Sequence, residues 1–182
     1  MKKKYNKKSN IVFSLIAAIV IALAINKEAF FNSLDYSSYS LDNVPVYTSE
    51  PYVIIDDNEP NFEDSLKNKK SFEKYSELDK YGRAGVALAN IGSDLLATEE
   101  RGSIGSVKPS GWHTIKYDIV DGKYLYNRCH LIGYQLTGEN ANEKNLITCT
   151  RYMNTVGMLK FENAVTDYIK KTNKRGQTPF VW

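Results

Sequence analysis

The sequence predicts an α+β domain built on a mixed or antiparallel sheet, with strands and helices segregated along the chain. Three stretches carry that prediction. Thr114–Val120 and Lys123–Asn127 are rich in β-formers and flank Asp121-Gly122, a pair that favours a two-residue hairpin turn because both central positions need φ > 0. Leu146-Ile147-Thr148-Cys149-Thr150 is a second short run of strand formers. From about Tyr152 to Lys171 the pattern becomes helical, with Phe161, Val165, Tyr168 and Ile169 on one buried stripe and Asn163, Thr166, Asp167 and Lys170 facing out.

The 182 residues suffice for one catalytic domain with its own core. Lys2, Lys3, Lys4, Lys7 and Lys8 precede a nearly pure apolar run, Ile11 to Ile25, and Ala22-Leu23-Ala24 offers a small-x-small cleavage site. Residues 1–26 therefore read as a signal peptide for secretion, with an uncleaved membrane anchor as the alternative; the run is shorter than the roughly 20 apolar residues of a stable span. Its membrane contact is expected to be transient. Residues 27–60, rich in Ser, Tyr, Asp and Asn, read as a polar tether with one compact strand at Tyr52 to Ile55, and residues 61–182 as the catalytic domain. Within that domain Ser71 to Tyr81 reads as a short helix and Gly85 to Ile91 as a buried strand. Gly102, Gly105 and Pro109 to Trp112 punctuate a turn-rich loop.

The net charge of +3 belongs to the N-terminal lysines, since residues 25–182 sum to −2. Residues 25–100 carry 7 basic and 15 acidic side chains, whereas residues 101–182 carry 12 basic and 6 acidic. The later half thus has the sign that a phosphate-binding surface needs. Cys129 and Cys149 fall in predicted buried strands and are expected to pack as free thiols, because two cysteines set no disulfide framework, with a disulfide in an exported chain as the alternative. With His130 they would still lack the fourth ligand and paired spacing of a zinc site.

Metal-dependent phosphodiester cleavage needs a base for water, a cation for the developing charge, and rigid placement of both. His130 at a strand end, Asn145 before the next strand, Asn154 at the helix start and Glu162 two turns on supply those residue types. A neutral imidazole suits general-base work, and an amide oxygen with a carboxylate suits a hard cation. Taken singly, each has a structural reading: a hydrogen-bonded histidine, a helix N-cap, a solvated glutamate. Composition and periodicity alone do not identify a nuclease.

Asn127-Arg128-Cys129-His130-Leu131-Ile132-Gly133-Tyr134-Gln135-Leu136, followed by Asn145-Leu146-Ile147-Thr148 and Arg151-Tyr152-Met153-Asn154, resembles the DNA/RNA non-specific endonuclease family. Within that family it is similar to the secreted and phage-encoded DNases of streptococci and to the DNA-entry nucleases. The family motif Asp-Arg-Gly-His stands here as Asn-Arg-Cys-His, and the spacing of Asn145, Asn154 and Glu162 fits the family. The resemblance covers roughly residues 75 to 173 and implies a ββα-metal finger. It implies His130 as the base that deprotonates water, Asn154 as the sole direct protein ligand of Mg²⁺, with Mn²⁺ as the alternative ion, and Glu162 as the carboxylate holding metal-bound water. Arg128 is implied as a phosphate contact, and Asn145 as the residue that orients the loop or supports the transition state. Arg151 and Arg83 are further candidates for nucleic-acid binding, Arg83 having a salt bridge to a nearby acid as its structural alternative. The implied partner is DNA, with RNA as a second substrate.

Beyond Lys171 the family continues through further strands, so the sequence predicts a shortened C-terminus that leaves a sheet edge unpaired. An inactive truncated relative and a non-enzymatic exported nucleic-acid-binding protein are the competing readings.

Overall fold

A computed structural model describes residues 7–32, 42, 44–59, 62, 66, 70–172 and 179–181. The chain forms two compact units, residues 1–44 and 45–182.

Among the described residues the first unit holds one long helix, α1 (Lys7–Asn32). It runs six residues past the expected boundary at 26, because Ile25-Asn26-Lys27-Glu28-Ala29-Phe30-Phe31 contains no breaker. Val12–Phe31, 20 residues of mean hydropathy 1.9, is long and apolar enough to cross a membrane. A signal sequence near the N-terminus meets the same criterion of length and composition.

The second unit carries two small antiparallel sheets. In the first, β2 (Ala87–Asn90) lies between β1 (Phe72–Tyr75) and β5 (Pro179–Val181). Phe72 pairs with Asn90 and Tyr75 with Ala87, while Leu88 pairs with Val181 and Asn90 with Pro179. All four β2 residues are buried, as the centre of a sheet covered on both faces requires. One expectation changes here. Phe72 to Tyr75 is strand, not helix, because pairing with β2 overrides a weak local preference. The edge of β2 away from β1 is paired by β5, so the unpaired edge that a shortened C-terminus predicts does not fall on β2.

The second sheet is the pair β3 (Tyr126–His130) and β4 (Leu146–Thr150), with Tyr126 opposite Thr150 and His130 opposite Leu146. Between them lie the short helix α2 (Tyr134–Thr137) and a 3-10 turn, Glu143–Asn145. After β4 comes a π-helical turn, Met153–Met158, that runs into α3 (Leu159–Thr172). Ala87, Ala89, Ile91, Ile132, Leu136, Val165 and Ile169 form the main core, which fixes α2 and α3 against β2.

The register brings Cys129 and Cys149 onto the same face of the β3–β4 pair as diagonal neighbours. Their Cα atoms are 5.9 Å apart and the two are joined by a disulfide, within the span such a bond requires. The expectation of free thiols is therefore corrected; only the register, invisible in the sequence, decides it.

The hairpin at 114–127 is also revised. A single bridge joins Lys116 and Tyr124, and the positive φ values fall on Gly122 and Lys123, at 68° and 66°, not on Asp121. Asp121 is bound by Arg151, Nη2 to Oδ2 at 2.8 Å, and the strand proper begins at Tyr126. Along α3 the buried residues are Val165, Thr166 and Ile169, continuing from Met158. Phe161 and Tyr168 are exposed, and Thr166 points inward with its hydroxyl donating to Glu162 O at 3.0 Å. That bond satisfies the buried group.

Tyr52 to Ile55 forms no strand. The Tyr52 ring meets Phe161 edge-on at 5.4 Å and lies under Lys160 Nζ at 3.4 Å, so this part of the expected tether packs on the outer face of α3.

Candidate active site

A cavity of about 370 Å³ opens where β3 ends against the helical segment, lined among others by Arg101, His130, Gly133, Arg151, Asn154 and Glu162. They come from three pieces of chain: the loop at Arg101, the end of β3 with the turn after it, and the helical segment that starts at Arg151.

His130 is the last residue of β3 and is 6% exposed. Its Nε2 lies 2.8 Å from Asn140 O and its Nδ1 3.4 Å from Arg101 Nη2. A carbonyl only accepts and a guanidinium only donates, so Nε2 carries the proton and Nδ1 the lone pair. The ring is a neutral imidazole with its basic nitrogen beside a residue of the cavity wall. Burial holds its pKa below 6.5, and the Arg101 charge acts in the same direction, against the Asn140 and Glu139 carbonyls.

Asn145 is wholly buried. Its Oδ1 accepts from Ile132 N at 2.8 Å and its Nδ2 donates to Ile132 O at 3.0 Å, while Leu131 N donates to Asn145 O at 2.9 Å. Of the two roles the resemblance implies, these bonds match loop orientation: Asn145 staples the turn after His130, with both polar atoms of its amide bonded there.

Asn154 sits in the π-helical turn, where Leu159 N–H bonds to Asn154 O. Such turns insert one residue into a helix and recur at functional sites. The N-cap role that Asn154 could have filled belongs to Thr150, whose Oγ1 accepts from Met153 N at 3.1 Å.

Glu162, one turn into α3, sends its carboxylate against Gly133. A Cβ built on Gly133 would come within 2.6 Å of Glu162 Cδ, so the approach depends on the missing side chain. Burial raises the Glu162 pKa, opposed by a hydrogen bond from Gln135 and by the Arg101 charge. We expect Gly133→Ala to leave the fold intact, since the flexible carboxylate can move, but to displace that carboxylate and lower kcat about 10²-fold, as an ångström of misplacement does. Cleavage kinetics compared with the thermal melt checks this: a normal melt with normal kcat contradicts it.

Arg101 was not visible as a site residue. It lies in a polar loop with no motif, and what brings it to His130 is tertiary: Tyr134 Oη donates to Glu99 O at 2.9 Å and Glu100 O at 3.2 Å, and Asn140 Nδ2 to Ser103 O at 3.3 Å.

The remaining arginines divide. Arg151 lines the cavity while paired with Asp121. Arg128, a candidate phosphate contact, donates from Nε to Val107 O and from Nη2 to Gly105 O at 3.1 Å, and stacks over Trp112 with its guanidinium carbon 3.8 Å from the ring centre. It ties down the 105–112 loop and does not line the cavity. Arg83 forms the salt bridge of its structural reading, 2.6 Å to Asp79 Oδ2.

Asn154 and Glu162 bring an amide oxygen and a carboxylate to one cavity, the hard donors that Mg²⁺ or Mn²⁺ takes. Among the described residues no three or more His, Cys, Asp or Glu gather to cage a metal. A cation here would keep most of its waters, as Mg²⁺ prefers.

The crystal structure of NucA from Streptococcus agalactiae with magnesium bound is similar, with a TM-score of 0.51 and 20% identity over 57% of this chain and 54% of that one. The metal-free form of NucA gives 0.51 and 20% over 63% and 57%. The Sda1 nuclease with bound zinc gives 0.48 and 27% over 58% and 60%. The chain thus matches little more than half the length of these structures, and the likeness to NucA is one of fold. No curated protein matches the sequence. The profile of the DNA/RNA non-specific endonuclease family matches residues 60–177, well over half of the chain. The chain belongs to the DNA/RNA non-specific endonuclease family.

Proposed function

We propose that this chain is an exported, metal-dependent endonuclease that hydrolyses phosphodiester bonds of DNA with little sequence preference. The observation that carries the reading is His130, a buried neutral imidazole with its Nδ1 lone pair beside Arg101, on a cavity shared with Asn154 and Glu162. In this reading Arg101 turns from His130 Nδ1 to the phosphate, which frees that lone pair to take a proton from the attacking water, and the Asn140 carbonyl holds the ring and stabilises the cation that forms. Arg101 and Arg151 pair with the phosphate oxygens, where a planar fork suits the geometry. Asn154 would hold the metal directly and Glu162 through its water. A bound Mg²⁺ supplies Lewis-acid stabilisation of charge on the phosphate and leaving oxygen; the magnesium ion of the NucA structure supports that choice. Contacts of this kind address backbone rather than bases, hence the lack of sequence preference.

Helix α1 is read as the export segment and residues 61–182 as the nuclease domain; the α1 span of Val12–Phe31 supports passage through a membrane.

End-labelled duplex DNA and an RNA of the same sequence, incubated with the full chain in Mg²⁺, Mn²⁺ or EDTA, test the reading. Metal-dependent cuts at many positions in the DNA are expected. Cuts confined to RNA, or cuts that persist in EDTA, overturn it.

A further inference from the structure

We propose that the Cys129–Cys149 disulfide is a positioning element of the cleavage site, so that turnover requires the oxidised chain; this rests on the nuclease reading above. Cys129 directly precedes His130 on β3. Cys149 lies on β4, and the two pack with Met158, the last residue of the π-helical turn that carries Asn154. One covalent bond thus ties, through buried contacts, the strand that ends in the base to the turn that presents the amide. β3 and β4 pair only with each other among the described residues, and a two-stranded pair alone is marginal. The register that ends at His130 opposite Leu146 therefore depends on what else holds it.

Both cysteines are buried, at 0% and 5% exposure, so exchange requires the hairpin to open. Oxidation removes two electrons and two protons from the thiols as the S–S bond forms, and an external disulfide accepts them to become two thiols. Thiols stay separate in a reducing cytosol and join in an oxidising compartment. The same chain is then held weakly active before export and becomes competent after it.

The test compares the full chain, oxidised and reduced by dithiothreitol, with a Cys129→Ala/Cys149→Val variant. Circular dichroism reports folding, plasmid cleavage gives kcat and KM, and NMR reads the His130 ring, with His113, the second of two histidines, as internal reference. The reduced chain and the variant are expected to stay folded at 25 °C, to lose about 10²-fold in kcat with KM little changed, and to shift the His130 ring signals away from the Nε2–H tautomer while His113 stays put. A folded reduced chain or variant with undiminished kcat and unmoved His130 signals overturns the proposal. So does a loss of activity that only tracks the unfolded fraction. If the oxidised chain itself fails to cleave, the nuclease reading falls, and the His130 signals alone decide whether the disulfide positions the ring.

Discussion

His130→Ala is expected to lower the cleavage rate about 10²- to 10⁴-fold, the range a positioned general base contributes, with much less change in KM. Asn140 O at 2.8 Å and Arg101 Nη2 at 3.4 Å leave only the Nε2–H tautomer. Because the folded pKa lies below 6.5, chiefly through burial, the base form persists under mildly acidic conditions. The acid limb of the kcat/KM profile should therefore lie below the ordinary imidazole value and vanish in the variant. The same shift bears on stability. A folded pKa below the unfolded one means that the unfolded chain binds the proton more tightly, so the His130 contribution is fully present above pH 6.5 and is lost as pH falls through the lowered folded value. A variant that keeps more than a tenth of wild-type kcat would show that His130 is not the base.

Asn145→Ala should cost about 3 kcal/mol of stability. It deletes two buried hydrogen bonds and leaves Ile132 N–H and C=O without the partners they have at 2.8 and 3.0 Å; each orphaned group costs roughly 1–3 kcal/mol. Against a total of about 5–15 kcal/mol for a typical domain that is a large share. Asn145→Asp should be worse, because a carboxylate oxygen would then face the Ile132 carbonyl in a fully buried site. Urea unfolding checks the pair: a lowered midpoint with an unchanged slope is expected for Asn145→Ala, and a midpoint within error of wild type would refute the staple. Activity should fall with it, since the stapled turn leads to Gly133, against which Glu162 rests.

How much of this was legible in the sequence depends on how local each determinant is. β4 has the bounds its composition predicts, Leu146–Thr150, because a run of strand formers between turn residues needs no distant help. β1 was misread as helix because only its pairing with β2 makes it a strand. On α3 the apolar stripe is displaced for two identifiable reasons. Thr166 can be buried because Glu162 O takes its hydroxyl proton, and Phe161 meets Tyr52 from a segment more than 100 residues earlier rather than the core.

The site follows the same division. His130, Asn154 and Glu162 are brought to one cavity, as motif and spacing imply, since β3, β4 and the helix that hold them are contiguous in the chain. Arg101 was missed because the contacts that place it come from Tyr134 and Asn140, more than 30 residues away. Arg128 carries the right chemistry for phosphate, yet two loop carbonyls and Trp112 occupy it. A side chain's type was readable in these cases; its partner was not.

The central claim is that the His130, Asn154 and Glu162 cavity cleaves the nucleic-acid backbone with a divalent metal. Nicking of supercoiled plasmid by the purified, oxidised full chain, with Asn154→Ala in parallel, tests it most directly. In Mg²⁺ the wild type should convert supercoiled DNA to nicked circles and then to linear molecules, EDTA should stop it, and Asn154→Ala should fail to convert it at the same concentration. A folded wild-type chain that leaves the plasmid supercoiled in Mg²⁺, or an Asn154→Ala chain that nicks as fast as wild type, would contradict the account.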